Sequence, residues 1–195
     1  MQMDPLEYAA KHNGMITTSE AEHMGVFRAR LSGYVVEGLL ERVERGVYCL
    51  PDVWEDEYAI CAKRFPRGIL SHGTALYLHD LSDRTPERVT MTFPRTFNAT
   101  SARKEGIVVR TCANNLASLG LSEVVTPSGN EVPCYDVERT LCDMLRGRAD
   151  IDVQIVNPAM KAYTSSRRRN VGKLLDYARR LGVEKKIRNY LEVLL

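Results

Sequence analysis

Apolar positions change their period along this chain. Between Asp4 and Gly38 they recur at helical intervals in three short blocks. Asp4-Pro5 supplies an N-cap followed by a residue that lacks the N–H otherwise orphaned there, and Leu6, Ala9 and Ala10 form one apolar side. Gly14 closes this first helix in the left-handed conformation. Thr17 and Glu20 form a capping box that opens a second, short helix ended by Gly25. A third helix begins near Val26-Phe27, with Phe27, Leu31, Tyr34, Val35 and Gly38 predicted as one buried stripe. The period then switches to two in LERVERGVYCLP, residues 40–51. That stretch predicts two strands around Glu44-Arg45-Gly46, a three-residue connection whose last position is left-handed. Val43, Tyr48 and Leu50 are placed to pack under the third helix.

Further on, Glu55-Asp56-Glu57 opens a helix through Ala62, and Ser71 caps another from His72 to His79. Strand-like runs follow at 89–93, 107–111 and 124–126. The turn at 127–130 leads into 131–135, where Pro133 points to an edge strand or a bulge. Asp136 caps a helix over ERTLCDML, which predicts a buried helix with Arg139 and Asp143 as an i, i+4 pair on its surface. After Asp150 the pattern is helical, with Asn157-Pro158 a helix start or kink. Asn170 caps 171–181, Gly182 breaks that helix, and a last one follows. The reading is an α+β protein: a winged helix-turn-helix domain over 1–52, then a mixed α+β domain over 53–195 that ends in a helical pair.

An apolar fraction of 44% is enough for a packed core. No apolar run is long enough for a membrane helix, and the N-terminus lacks the pattern of a signal peptide, so a cytoplasmic protein is expected. The five cysteines stand singly, which argues for reduced buried thiols over a disulfide framework or zinc site. The net charge of +2 hides an asymmetry. Residues 1–50 carry seven acids against five cations, whereas 161–195 carry ten cations against three acids.

In a winged helix the third helix enters the major groove and its first residues approach the bases. That makes Arg28, Arg30 and Ser32 candidate DNA contacts, with Thr17 and Thr18 at the preceding helix start and Arg42 and Arg45 on the wing. Arg167, Arg168 and Arg169, the only basic run, are candidate phosphate contacts or a solvated turn. Winged helices also serve as protein-interaction modules, and that alternative stays open. The chain has no phosphate-binding G-x-x-x-x-G-K-S/T, no G-x-G-x-x-G, no H-E-x-x-H and no G-x-S-x-G. No catalytic residue, metal or cofactor is assigned.

The stretch ITTSEAEHMGVFRARLSGYVVEGLLERVERGVYCLP resembles the N-terminal domain of AbiEi-like antitoxins, of AbiE-type abortive-infection systems. LSHGTALYLHDLSDRTPERVTMTFP, YDVERTLCDML and NVGKLLDYARRLGVEKKIRNYLEVLL resemble later parts of the same family, in order. The resemblance implies a repressor that binds inverted repeats in its own promoter. It also implies an antitoxin whose C-terminal domain counters a nucleotidyltransferase-type toxin, in the type IV scheme without a stable complex. Other readings are a module that inhibits the toxin by direct binding, a solitary winged-helix regulator, or an enzyme that reverses the toxin's modification. The last requires a polar pocket with at least two convergent titratable groups in the C-terminal domain.

Overall fold

The computed structural model describes residues 3–146 and 153–194. The expected helical start just after Asp150 lies outside them. No helix among the described residues is long and apolar enough to cross a membrane. The chain forms two units: Met1–Pro66 with Val125–Glu131, and Arg67–Val124 with Val132–Leu195. The boundary expected after Asp52 falls ahead of a helix that groups with the first unit.

The first unit begins with α1 (Pro5–Lys11), whose N-terminal amide at Leu6 donates to Asp4 at 2.7 Å. Gly14 follows with φ +77°, and a Cβ there would lie 2.4 Å from Val53 Cγ2, so glycine is required both for conformation and for space. Next come β1 (Met15–Thr17), α2 (Thr18–His23) and α3 (Arg28–Val36), then the hairpin β2 (Glu41–Glu44) and β3 (Val47–Cys49). β1 is a strand that helical periodicity did not announce. It pairs antiparallel with β3, giving a three-stranded sheet in the order β1-β3-β2. The core beneath holds Ala9, Ile16, Ala21, Leu31, Tyr34, Leu40 and Tyr48.

α4 (Glu57–Arg64) closes this unit. Its N-cap, Asp56, is 4% exposed and accepts from the amides of Tyr58 and Ala59. Its other carboxylate oxygen accepts from the Thr126 hydroxyl and, at 2.7 Å, from the Asn130 amide group. One buried carboxylate therefore satisfies four donors.

The second unit opens with β4 (Ile69–Leu70), α5 (His72–Leu78), β5 (Thr90–Pro94), α6 (Thr100–Lys104) and β6 (Val108–Cys112). The hairpin β7 (Leu121–Val125) and β8 (Glu131–Tyr135) completes a five-stranded sheet in the order β6-β5-β4-β8-β7. β4 runs antiparallel to β5 and parallel to β8, and β5 runs parallel to β6. Pro133 is thus on an inner strand, contrary to the expected edge; its neighbour β4 is only two residues long and registers at Cys134. Ser71 precedes α5 but makes no cap bond; its hydroxyl oxygen instead accepts from Thr92 Oγ1 at 2.8 Å.

The helices α7 (Val137–Met144), α8 (Val153–Ser165), α9 (Val171–Leu181) and α10 (Glu184–Leu194) follow. Leu76, Leu141, Val156, Met160, Leu174, Ile187 and Leu191 pack into their common core. Pro158 lies inside α8 rather than at its start. Asn170 caps α9 and left-handed Gly182 ends it, as the sequence predicted. Four of the cysteines are buried and all five are free thiols; burial pushes Cys49 up to about 11 and Cys134 up to about 12.

The Arg139–Asp143 pair is not on the surface. Arg139 is 0% exposed and Asp143 3%, with Nε 2.8 Å from Oδ2. The i, i+4 spacing holds, but this face of α7 is covered by the β6–β7 loop, whose carbonyls at Leu116 and Leu119 accept from Nη1.

Replacing Asp56 by alanine strands the Thr126 and Asn130 donors and removes the α4 cap. The expected loss is about 2–4 kcal/mol of stability, read as a lower midpoint in chemical denaturation. Asp56→Asn, which keeps an acceptor, loses less.

Candidate nucleic-acid interface

α3 starts at Arg28, and Phe27 is its N-cap in extended backbone, φ −73° and ψ 147°, with no side-chain cap bond. Phe27 is 83% exposed, so it is not part of the buried stripe. Val26 takes that inward place: its amide bonds Ala21 O at 2.9 Å and its side chain packs on the core. The helical periodicity fails at Phe27 because Phe27 precedes the helix. Gly38 likewise lies beyond the helix, left-handed and exposed.

With Leu31 and Tyr34 inward, helical geometry turns Ala29, Gly33 and Val36 outward. This face is small and apolar; Val36 is 89% exposed. Arg28 and Ser32 flank it on one side, and the Ser32 hydroxyl donates to Arg28 O at 3.3 Å. Arg30 flanks it on the other, its guanidinium lying 4.3 Å over the Tyr34 ring. Tyr34 in turn donates to Asp4 Oδ2 at 2.9 Å; burial, then that carboxylate, pushes its phenol up. Arg28 and Arg30 are both exposed, but only Arg28 is unstacked.

The wing turns more tightly than expected. Glu44 pairs with Val47, leaving Arg45-Gly46 as a two-residue loop, with a register shift between Arg42 and Glu44. Gly46 is left-handed at φ +80°, as its position predicted. The amide of Thr18 donates to Gly46 O at 2.9 Å, and the Thr18 hydroxyl is buried against this turn without a partner. Thr18 therefore holds the wing against α2. Arg42 and Arg45 are exposed; Arg42 Nε donates to Glu44 O at 3.4 Å, and Glu44 Oε2 accepts from the Arg45 amide.

Thr17 is 9% exposed, and its hydroxyl accepts from the Glu20 amide while Glu20 accepts from the Thr17 amide at 2.6 Å. Lys63 from α4 adds an ion pair to Glu20 at 2.8 Å. Burial works against the Glu20 charge, but Lys63 and Thr17 outweigh it and hold this carboxyl below its ordinary range. Thr17 is thus engaged inside the protein. Arg167, Arg168 and Arg169 are exposed on the α8–α9 turn of the second unit, where Arg169 donates to Ser166 O.

Helix, strand, two further helices across a glycine turn, and a hairpin bearing arginines define a winged helix-turn-helix unit. Residues 3–51 match the family described as transcriptional regulator, AbiEi antitoxin, so the resemblance read from the sequence is shown for this segment. No curated protein matches the chain. Among three matching chains of solved structures is the RV2827C protein from Mycobacterium tuberculosis, known from a crystal structure. It is 14% identical with a TM-score of 0.60, over 89% of this chain and 69% of that one. At that identity the likeness is one of fold.

Thr17→Ala is expected to cost about 1 kcal/mol, and Thr17→Ser to restore it. The Glu20 contribution is fully present above the ordinary glutamate pKa and lost as pH falls through the lower folded value. The gap in thermal midpoint between wild type and Thr17→Ala should therefore narrow below about pH 4.

Proposed function

We propose that the first unit binds duplex DNA at the protein's own promoter and represses it, and that the chain is the antitoxin partner of a nucleotidyltransferase-type toxin. The family match of residues 3–51 indicates an antitoxin-type transcriptional regulator and supports this reading. The single observation that carries the DNA part is the outward presentation of guanidinium groups by α3 and by the wing, at Arg28, Arg30, Arg42 and Arg45. Between them, the face of Ala29, Gly33 and Val36 is shallow enough for close approach to base edges. Exposed Phe27 beside it offers an apolar contact for thymine methyl groups. The acidic balance of residues 1–50 keeps the counterion gain small, so inverted repeats engaging two copies suit this unit.

Gel-shift titration on the DNA upstream of the gene tests the reading. Arg28→Ala should weaken that complex by about 1–3 kcal/mol and relax discrimination between sequences. Arg45→Ala should weaken all sequences alike and reduce the salt slope by about one. A folded Arg28→Ala, Arg45→Ala double variant with unchanged affinity refutes the interface.

A further inference from the structure

The second unit contains a cavity of about 360 Å³ that the DNA reading does not use. Its walls come from β5, β6, α7 and the start of α5. Thr92 and Arg110 are registered neighbours on β5 and β6 and so lie side by side on one sheet face. Arg139, Asp143 and Arg146 follow one another at four- and three-residue spacing, which brings them to one side of α7 and its end. His72, the first residue of α5, completes the ring. Two of the sequence stretches singled out above, LSHGTALYLHDLSDRTPERVTMTFP and YDVERTLCDML, meet here.

The charge in this cavity is unbalanced. Three guanidinium groups line it against one carboxylate, and that carboxylate, Asp143, is bonded to Arg139. Arg110 and Arg146 make no close ion pair among the described residues, and Arg146 feels only the longer-range field of Asp143, which Arg139 already holds. Arg139 is 0% exposed; its Nε and Nη1 are bonded, but Nη2 is buried with no partner at all. An unmatched buried N–H of a charged group is costly, and adjacent like charges add to the cost. His72 adds strain: φ is +53°, a conformation non-glycine residues rarely adopt. Enclosure, then the charges of Arg110, Arg139 and Arg146, push its ring down to about 3, so it enters the site neutral and able to donate one N–H.

We propose that this cavity binds a phosphate monoester through Arg110 and Arg146, in front of the enclosed Arg139 guanidinium, with Thr92, Thr111 and His72 in the lining. Guanidinium forks match phosphate oxygens in pairs and keep their charge in an enclosed site. The volume lies at the small end of ligand pockets, about 300–1,000 Å³, which suits a small phosphorylated molecule or the phosphorylated end of a nucleic acid strand rather than a duplex. The mode of binding is separate from that of the winged helix.

The test is calorimetric titration of the full chain, in low-chloride buffer, with inorganic phosphate, with adenosine monophosphate, and with a single-stranded oligonucleotide carrying or lacking a 5′-phosphate. One site per chain is expected for phosphate. Arg110→Gln and Arg146→Gln should each weaken it about tenfold or more without lowering the phosphate-free thermal midpoint. The Arg28→Ala, Arg45→Ala variant should bind phosphate as the wild type does. Because a bound dianion opposes the three arginines, the His72 ring should titrate at higher pH when phosphate is present, read by NMR. A 5′-phosphate that strengthens oligonucleotide binding only when Arg110 is present supports the site with a strand end as its source. Mononucleotide binding with no such difference supports it with a free ester as its source. Absence of binding by phosphate and mononucleotide at millimolar concentration overturns the proposal. So does binding that survives in the Arg110→Gln, Arg146→Gln double variant.

Discussion

The guanidinium of Arg139 organises the second unit. It is charged and 0% exposed, a placement that costs several kcal/mol unless its hydrogens are matched. The match comes from Asp143 on the same helix and from two carbonyls of the β6–β7 loop, Leu116 and Leu119, at 2.7 and 2.6 Å. Its plane lies 4.1 Å over the Tyr135 ring, and Tyr135 donates to Ala117 O of the same loop at 2.9 Å. Gly120 must be glycine, since it is left-handed and a Cβ there would stand 2.5 Å from Arg139 Cβ. The course of the loop, the start of α7 and the end of β8 are thus fixed by one side chain. Lys173 on α9 then joins the α7 N-terminus to the helical layer through Asp136 and Glu138, at 3.0 and 3.1 Å.

In the first unit the governing constraint is different. It is small, and its polar groups do structural work at every junction. The capping box closes α2, Lys63 ties α4 to it, Thr18 holds the wing, and Asp56 gathers four donors. What remains for a partner is what these bonds leave out: Phe27, Arg28, the small face of α3, and the arginines of the wing. The residues proposed to meet DNA are drawn mostly from those the fold does not need.

Legibility from the sequence follows the same division. Caps and stops with local chemistry were readable: Asp4, the Thr17–Glu20 box, Gly46, Asp136, Asn170 and Gly182. Features that depend on distant chain were not. β1 is a strand because β3 offers it a partner, which three residues cannot announce. Ser71 has the right residue type for a cap, yet Thr92, 21 positions away, takes its hydroxyl. Arg139 and Asp143 have the spacing of a solvent-facing pair, and only the loop over them makes the pair internal. The spacing of Phe27 to Leu31 fits an inward helical position, but a residue before the first turn does not obey helical phase. The wing and α3 were therefore legible as elements, while the arginine-lined cavity had no local signature.

Two kinds of cationic surface result, and they should answer to salt differently. The arginines of α3 and the wing are exposed, so their attraction to a polyanion comes largely from displaced counterions and weakens with ionic strength. The cavity of the second unit sets two more accessible guanidinium groups, Arg110 and Arg146, in front of one that is fully enclosed. Arg110 is exposed and Arg146 half-buried, so salt reaches the cavity, but it pairs a single dianion with few cations, and bidentate geometry rather than a polyanion's counterion release sets most of the affinity. Ionic strength alone therefore separates the two: raising it should strip duplex DNA from the winged helix before it releases a phosphate monoester from the cavity. An anion held in this way also offsets the mutual repulsion of the three arginines, so occupancy of the cavity stabilises the charge of the very side chain around which the unit is built.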